Sequence, residues 1–406
     1  MSICDTRSVA EWLLDGARSA PLSEQVLAEL CQRLTGCGIP LWRVAVFVRT
    51  LHPQVMGRRF MWQPGTEVRV TAGAFDVLDR PEFHNSPFTA VVNSGQAIRR
   101  KLADKDCIND FPILEELRAE GITDYLASPL IFTDGATHAA TWSTREPGGF
   151  TEAQIAGIEA IVKPLARVAE IRALRRTAAN LLNVYVGNHA GERILAGQIR
   201  RGHTDTIHAV IWLSDMRGFT AAADRLPPEG LLDLLNRYFD CQVPAITKHG
   251  GEVLKFIGDG LLAIFPISDR EDDVREVCRK ALAAAVEARA NIDAIDATTS
   301  VKDAGDVRFG LALHVGHVLY GNIGSGDRLD FTCIGPAVNL TARLEKLAAR
   351  FGRTIVTSAE FARHSDAALE PLGEFPVAGF SAAQAVFGLP GENAPRSVGR
   401  APPTAG

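Results

Sequence analysis

The sequence predicts an α+β protein with two domains and a helical linker, and three observations support this class. With 406 residues, the chain is long enough to bury two cores of ordinary size. Two regions combine helical patterns with apolar runs of strand length, and between them apolar positions recur at helical spacing. We therefore predict domains at 1–163 and 201–390, a linker at 164–200, and a disordered, Pro/Gly/Ala-rich tail at 391–406.

Composition excludes several classes of protein. Lys and Arg number 43 against 48 Asp and Glu, and this formal charge of −5 argues against a nucleic-acid binder. No apolar run approaches the roughly 18 residues of a membrane span, and the N-terminus MSICDTRSVAEW lacks the blocks of a signal peptide. The seven cysteines include no CxxC pair, which indicates reduced thiols, so we expect a cytoplasmic protein.

The first domain combines a helix, several strands and a closing helix. Residues 21–36 form a helical pattern that ends at a glycine, and LWRVAVFVRTL follows as a strand. Two further strands flank an Asp-Gly pair at position 134, which is a strong hairpin signal. Thr151 and Gln154 have capping-box spacing, so a helix begins there, and we expect Pro164 to kink or break it.

A heptad pattern follows in the linker. Apolar residues recur in steps of three and four at Ile171, Leu174, Ala178, Leu181 and Tyr185. Over so few heptads, two interpretations stay open. The helix packs on its own domain, or it forms a parallel helical dimer with a second copy of the chain.

The second domain alternates strands and helices. The predicted order is a strand at 207–214, helical segments at 219–249, the hairpin EVLKFIGDGLLAIF, the helix DDVREVCRKALAAAVEARANI, the strands VRFGLALHV, VLYGNIG and LDFTCIG, the helix PAVNLTARLEKLAAR, a short strand and helix in TIVTSAEFARH, and the edge strand QAVFGL. Because most strands are linked as hairpins, we expect one sheet with helices on one face.

Two carboxylates stand at strand ends in this domain. Asp215 follows the apolar strand in IWLSDMRGFT, and Asp259 occupies the Gly-Asp-Gly turn of the hairpin. Alone, Asp259 is typical of a plain hairpin tip. If the strand lies beside the hairpin, however, the two carboxylates converge and repel each other unless a cation lies between them. Neither motif contains His or Cys, which favours Mg²⁺ or Mn²⁺ over zinc.

Two further segments suggest phosphate chemistry. Backbone amides in RGFT begin a helix and would suit a phosphate, although the chain contains no GxxxxGK[ST] P-loop. Asn339 and Arg343 lie four residues apart on the helix that begins at Pro336, so they share one face. This face is either solvated or offers an amide and a guanidinium to a phosphate as negative charge builds.

The three segments resemble the class III nucleotide cyclase family, in an arrangement similar to bacterial adenylate cyclases. LSDMRGFT matches the first metal segment, EVLKFIGDGLLAIF the base-contacting and second metal segment, and FTCIGPAVNLTARLE the transition-state helix. The likeness covers residues 195–388 and includes GHVLYGNIGSGDRLDFT. It implies a ferredoxin-like cyclase catalytic domain that converts ATP to cyclic AMP and pyrophosphate.

The resemblance also implies the metal ligands. Asp215 and Asp259 would hold two Mg²⁺ (or Mn²⁺) ions, with help from the Met216 carbonyl. One ion would activate the ribose 3′-hydroxyl for attack on the α-phosphate, and the other would bind the β- and γ-phosphates.

Further roles are implied for residues near the substrate. The amides of Gly218, Phe219 and Thr220 would contact the phosphates, Asn339 would orient the ribose, and Arg343 would stabilise the transition state.

The purine-reading positions favour ATP. Lys255 and Thr332 resemble the adenine-selective pairing, although Thr332 replaces a frequent Asp. The chain departs from many members at Ala378, where a basic residue often contacts phosphate. Arg201 or Arg328 would supply that contact, and the sequence does not choose between them.

In this family, the metal carboxylates come from one protomer, and the purine-reading and transition-state residues come from its partner. The resemblance therefore implies a head-to-tail homodimer with two equivalent sites. A guanylate cyclase is the alternative enzyme. The alternative outside enzymes is a catalytically silent module for dimerisation or nucleotide sensing, but Asp215, Asp259, Asn339 and Arg343 are all present.

The first domain resembles a GAF-type sensor in its SPLIFTDGATHAATWST hairpin and the helix that follows. This likeness implies that an unknown small-molecule signal regulates the enzyme. His84, in EFHNSPF, is a candidate ligand for haem or another cofactor, but a lone histidine is more often structural.

Overall fold

The computed structural model describes residues 5–268, 271–298 and 308–392. It divides into an N-terminal unit, Met1–Leu181, and a C-terminal unit, Leu182–Gly406, so the division falls within the predicted linker. The predicted tail from residue 393 onward lies outside the described residues.

The described elements of the N-terminal unit surround one sheet. They are α1 (Arg7–Leu14), α2 (Ser23–Gly36), β1 (Arg43–Arg49), β2 (Gly57–Trp62), β3 (Arg69–Gly73), a 3-10 helix (Phe75–Asp79), α3 (Pro81–His84), α4 (Pro87–Ser94), β4 (Ile98–Arg100), α5 (Ile113–Ala119), β5 (Asp124–Ile131), β6 (Thr137–Thr144) and α6 (Glu152–Val186), which continues past the division.

Six antiparallel strands form the first sheet in the order β3-β2-β1-β6-β5-β4. Helices α2 and α6 pack on one face through residues such as Leu30 and Ile158. Helices α4 and α5 cover the other face through Val91 and Leu117. Each face of the sheet therefore has a core of its own.

The local predictions for this unit are largely confirmed. Strands β5 and β6 pair as the predicted hairpin around Asp134. The amide of Thr151 donates to Gln154 Oε1 at 2.9 Å, and the amide of Gln154 donates to Thr151 Oγ1 at 3.2 Å, which is the predicted capping box.

We expected Pro164 to kink or break the closing helix, and it does not break it. Helix α6 continues from Glu152 to Val186 with Pro164 inside it and buried. Tertiary packing of the apolar side of α6, including Ile161 and Leu165, compensates for the hydrogen bond that proline cannot donate.

The described elements of the C-terminal unit follow a longer strand–helix order. They are α7 (Asn188–Leu195), β7 (Thr204–Arg217), α8 (Phe219–Arg225), α9 (Pro228–Lys248), β8 (Glu252–Ile257), β9 (Gly260–Ile267), α10 (Glu271–Thr298), β10 (Arg308–Gly324), β11 (Leu329–Ile334), α11 (Pro336–Phe351), β12 (Ile355–Ser358), α12 (Ala359–His364), β13 (Glu370–Phe375) and β14 (Gln384–Gly388).

The eight strands of the second sheet are mostly antiparallel. Their order is β13-β14-β12-β10-β7-β9-β8, and β11 pairs with β10 off this path. Strand β13 is the edge strand, so the prediction that QAVFGL would be the edge was wrong. The segment EPLGEF did not predict β13, because Pro371 and Gly373 are typical of turns.

Helices cover both faces of this sheet, so the expectation of helices on one face was wrong. Val210 and Trp212 of β7 pack in one core with α9, α10 and α12. Ala209 and Ile211 point the other way and pack with α7 and α11. Because successive strand residues alternate and both sets are apolar, the strand requires cover on each side.

Two strands that the sequence predicts separately form a single strand in the structure. VRFGLALHV and VLYGNIG form the continuous strand β10, which pairs with β7 from Arg308–Arg217 to Gly321–Thr204. Gly316 and His317 between them made the sequence resemble a turn. Continuous pairing with a long neighbouring strand keeps the backbone extended.

None of the described helices is long and apolar enough to cross a membrane.

A buried histidine makes the stability of the C-terminal unit depend on pH. Burial lowers the pKa of His314 to about 4, and its Nδ1 lies 2.8 Å from Ser358 Oγ. An unfolded histidine has a pKa of about 6.5, so between these values the unfolded state binds a proton that the folded state does not. The free energy of unfolding should therefore fall as the pH falls through this window, by about 3 kcal/mol from this group.

The variant His314→Gln tests this expectation, because glutamine does not titrate. Urea unfolding at about pH 7 and about pH 4.5 should show a smaller pH-dependent loss in the variant than in the wild type. Equal losses in both proteins would contradict the assignment.

Candidate active site

The two predicted carboxylates meet at one end of the second sheet. Ser214 of β7 pairs with Leu261 of β9, which places Asp215 beside Gly260 and the turn that carries Asp259. The side chains of Asp215 and Asp259 are within hydrogen-bonding reach of each other. Strand β7 runs to Arg217, so Asp215 lies inside the strand, not after its end as predicted.

The environment of this pair penalises two negative charges. Burial, and after it the negative charge of the neighbouring Asp259, raise the pKa of Asp215 to about 6. The positive charges of Lys346 and Arg217 act in the opposite direction. A cation between the two carboxylates would remove their repulsion, and an oxygen-only donor set suits Mg²⁺ or Mn²⁺. The residues present therefore fit the metal that the sequence predicted.

Two glycines keep the surroundings of Asp215 open. A Cβ at Gly260 would lie 3.2 Å from Asp215 Oδ1 and 3.2 Å from the Ser214 carbonyl oxygen. A Cβ at Gly310, which is opposite Asp215 on β10, would collide with the Arg217 guanidinium and the Glu345 carboxylate. Any larger side chain at these positions would displace the charged groups.

The segment after Asp215 has the predicted turn into a helix. Met216 buries its side chain and pairs with Phe309, and Gly218 has φ of 74°, a left-handed conformation that glycine adopts without strain. Helix α8 begins at Phe219, so the amides of Phe219 and Thr220 lie in its first turn. The phosphate role of these amides stays a prediction.

The predicted purine-reading residues lie on β8 and β11. Lys255 follows a bulge in β8, and its Nζ lies 2.7 Å from Asp330 Oδ2. Thr332 is 3% exposed, and its Oγ1 makes no hydrogen bond to a described residue. The structure thus brings a lysine, an aspartate and a threonine hydroxyl to this region, whereas the sequence predicted only the first and the last.

Helix α11 presents the other two predicted residues to solvent. Pro336 is its first residue, Leu340 and Leu344 are buried against β10, and Asn339 and Arg343 are exposed. In the described contacts of a single chain, the groups that act on Asp215 from α11 are Lys346 and Glu345, not Asn339 or Arg343.

Sequence reasoning missed three residues besides Asp330. Burial raises the pKa of Glu345 to about 7, and Asp215 contributes in the same direction. Glu252 Oε2 accepts a hydrogen bond of 3.0 Å from the Tyr320 hydroxyl, which ties β8 to β10. The available signal for Glu345 was its place among the buried positions of an amphipathic helix. No local pattern pointed to Glu252 or Tyr320.

Arg201 and Arg328, the two candidates to replace the basic residue that is absent at Ala378, lie on separate loops. Ala378 lies exposed in a turn, and Arg201 and Arg328 are exposed on other loops.

In the N-terminal unit, His84 is exposed at the end of α3, with its ring 6.2 Å from that of Phe83. A cofactor role for His84 stays a prediction.

Replacing Asp215 by asparagine should stabilise the metal-free protein. The pKa of Asp215 in the folded state exceeds the usual value, so ionisation of this group at pH 7 opposes folding, and asparagine removes that penalty. Allowing for solvent screening of a half-buried group, we expect a gain of about 1 kcal/mol.

Urea unfolding at neutral pH with a chelator measures this gain. The control Asp233→Asn removes an exposed carboxylate that pairs with Arg237 at 2.8 Å, and it should change the unfolding free energy by less than about 0.5 kcal/mol. A less stable Asp215→Asn variant would show that the carboxylate pair is not repulsive.

Comparisons with known proteins agree with the motifs. Residues 202–387 match the family model for the adenylate and guanylate cyclase catalytic domain. The terminal-differentiation-specific adenylate cyclase of Dictyostelium discoideum is 32% identical over 148 residues, covering 36% of this chain and 7% of that protein. The adenylate cyclase of Anabaena cylindrica is 31% identical over 170 residues, covering 41% of this chain and 32% of that protein.

A solved structure, the adenylyl cyclase CyaB from P. aeruginosa, is 26% identical with a TM-score of 0.40, and the match covers 46% of this chain and 94% of that chain. The chain spans no more than 32% of the length of the two curated relatives. On the family-model match and these relatives, residues 202–387 form a catalytic domain of the class III adenylate and guanylate cyclase family.

Proposed function

We propose that the chain is an adenylate cyclase, which converts ATP to 3′,5′-cyclic AMP and pyrophosphate. The observation that carries this proposal is the proximity of Asp215 and Asp259 at one sheet edge. A catalytically silent domain would have no reason to retain two repelling carboxylates and the two glycines that keep their surroundings open.

Asp215, Asp259 and the Met216 carbonyl would hold the divalent cations. When bound, Mg²⁺ or Mn²⁺ favours ionisation of the ribose 3′-hydroxyl and neutralises phosphate charge. The amides of Phe219 and Thr220, in the first turn of α8, would orient the phosphates.

The ribose 3′-hydroxyl gives its proton to solvent water, and at the α-phosphorus one bond forms and one breaks. The 3′-oxygen attacks the α-phosphorus, the bond from this phosphorus to the bridging oxygen breaks, and pyrophosphate leaves with the electron pair. Asn339 would orient the ribose by its amide, and Arg343 would donate to the phosphate oxygens as negative charge builds on them. Because both side chains are exposed, they are free to act on a nucleotide bound by another protomer.

We propose a head-to-tail homodimer in which each site combines groups from both protomers. In one chain, the described contacts of Asp215 do not include Asn339 or Arg343, which supports a contribution from a partner. The predicted heptad seam supports the same assembly, because Ile171, Leu174 and Tyr185 are 50%, 63% and 80% exposed. A parallel helical dimer would cover these side chains.

The N-terminal unit is proposed as the regulatory part of the chain. It contains a cavity of about 660 Å³ between the first sheet and its α3–α5 side. Aromatic and cationic side chains, among them Phe47, Phe88, Arg43 and Arg59, line this cavity. Its size suits a small molecule, which supports the sensor role that the GAF-like sequence pattern predicts.

Product analysis tests the reaction and separates the alternatives. Purified full-length chain is incubated with Mg²⁺ or Mn²⁺ and with ATP or GTP in parallel, and products are identified by mass. We expect cyclic AMP and pyrophosphate from ATP, because the predicted purine-reading positions carry a lysine donor, Lys255, and a hydroxyl, Thr332. Cyclic GMP as the main product would support a guanylate cyclase, and no turnover would support a silent module.

Mixing inactive variants tests the shared site. Asp215→Asn and Arg343→Ala should each lose at least about a hundredfold in activity, since one removes a metal ligand and the other a transition-state donor. After subunit exchange in an equal mixture, half of the dimers are mixed and each has one intact site of two. The mixture should therefore recover about a quarter of wild-type activity.

The matched control mixes Asp215→Asn with Asp259→Asn. Both variants remove a metal carboxylate, so each of the two sites in a mixed dimer lacks one of its metal ligands. This mixture should therefore stay inactive. Absence of recovery in the first mixture, or equal recovery in both, would contradict the shared site.

A further inference from the structure

We infer that the cavity of the N-terminal unit binds an anionic ligand with an aromatic body, and that Arg59 holds its anionic group. This inference rests on the proposed regulatory role of the unit and deepens it, because it names the class of ligand. A carboxylate and a phosphate share the chemistry that a guanidinium recognises, since both offer two oxygens to its paired N–H donors. The cavity, of about 660 Å³, has the size of a small-molecule site.

The floor of the cavity is a row of side chains across four strands of the first sheet. Four residues that pair in succession line it: Thr71 of β3, Arg59 of β2, Phe47 of β1 and Ala139 of β6. Residues alternate between the two faces along a strand, and Phe60, which follows Arg59, packs in the core with α2 and α6. Arg59 therefore lies on the opposite face, as the cross-strand neighbour of Phe47.

The charge of Arg59 is not compensated by an ion pair in the part of the chain that the structure describes. The other two arginines that line the cavity are compensated. Arg43 pairs with Glu116 at 3.1 Å, and Arg80 pairs with Asp76 at 2.6 Å. None of the described carboxylates lies within ion-pair distance of Arg59. An anionic ligand would supply the missing counter-charge.

The surroundings of Arg59 favour an added negative charge. Desolvation lowers the pKa of the Arg59 guanidinium, and the positive charges of Arg43 and Arg69 act in the same direction, whereas Glu116 opposes them. Glu82, the other carboxylate that lines the cavity, is exposed in the first turn of α3. A partly desolvated guanidinium beside other cations is stabilised by an anion that binds next to it.

Aromatic rings form the wall beside this guanidinium. The ring centroid of Phe88 lies 4.4 Å from that of Phe47, in an edge-to-face arrangement, and 5.7 Å from that of Phe83. All three side chains line the cavity and are only half-buried, so part of their apolar surface is left for a ligand. A flat aromatic body can pack on these rings while its anionic group reaches Arg59.

The lining residues favour an organic anion over a haem or a metal ion. Within the described ranges, no histidine and no cysteine lines the cavity. His84 follows the lining residue Phe83 in the chain but does not itself line the cavity. Met56 contributes a thioether, and a single thioether without a second ligand does not make a metal site.

A series of naphthalene compounds that differ only in the head group tests the inference. The probes are 2-naphthoate, 2-naphthyl phosphate and the neutral 2-naphthamide. Their binding to the full-length chain is measured by calorimetry in the presence of a chelator. The wild type should bind at least one of the anions about tenfold or more tightly than the amide. The anion that binds more tightly identifies the head group as a carboxylate or a phosphate.

Variants of two adjacent arginines locate the binding site. Arg59→Gln removes the charge and should weaken the binding of the anions by about tenfold or more, while the affinity for the amide stays within about threefold. Arg59→Lys keeps the charge but loses the paired donors, so it should retain part of the affinity. The matched control is Arg58→Gln, because Arg58 lies on the α2 and α6 side of β2, and it should bind the anions within about threefold of the wild type.

Circular dichroism melting checks that each variant folds. Arg59→Gln should melt at or above the temperature of the wild type, because it removes a charge that Arg43 repels. Three results would overturn the inference: anion affinity that Arg59→Gln leaves unchanged, an equal loss in Arg58→Gln, or no preference of the wild type for either anion over the amide at millimolar concentrations.

Calorimetry separates this inference from the proposed function, because it needs no turnover. If the chain forms no cyclic nucleotide, the proposed reaction fails and the affinities still decide on Arg59. The cyclase assay with and without the anion that binds more tightly then tests the regulatory role. A rate that this anion changes in the wild type but not in Arg59→Gln supports that role, and an unchanged rate in the wild type contradicts it.

Discussion

The repulsion between Asp215 and Asp259 is the constraint on which the catalytic half of the structure depends. Burial and mutual proximity raise the pKa of Asp215 to about 6, so the fold bears the cost of two acids at one sheet edge. The pairing of β7 with β9 and β10 fixes this arrangement, because it places Asp215 between Gly260 and Gly310. A site that strains the metal-free fold in this way is suited to bind cations together with an anionic substrate.

The residues proposed to read the purine lie on strands of the same sheet. The hairpin that carries Asp259 in its turn carries Lys255 on β8, and β11 holds Asp330 and Thr332 beside it. The hydrogen bond from Tyr320 to Glu252 connects β8 to β10, the strand with which β11 pairs. The residues proposed for metal binding and for base recognition therefore lie on one sheet, whereas the side chains of Asn339 and Arg343 are exposed in a single chain.

The sequence predicted the elements that carry strong local signals. The hairpins, the capping box at Thr151 and the start of α11 at Pro336 all follow from residues close in the chain. The prediction failed at Gly316, where pairing of β10 with β7 overrides the local turn signal, and Pro164 does not break α6. The convergence of Asp215 and Asp259 was predictable from strand ends. The contact between Lys255 and Asp330 was not predictable, because 75 residues separate them and no local sequence pattern links the two positions.

The central claim is that Asp215 and Asp259 share divalent cations with a bound nucleotide. A crystal structure of the full-length chain with Mn²⁺ and 3′-deoxy-ATP, with anomalous scattering from manganese, tests it most directly. We expect a manganese peak about 2.1 Å from an oxygen of each carboxylate, at the phosphates of the nucleotide. Manganese bound to the phosphates alone, with the two carboxylates turned away from it, would contradict the account.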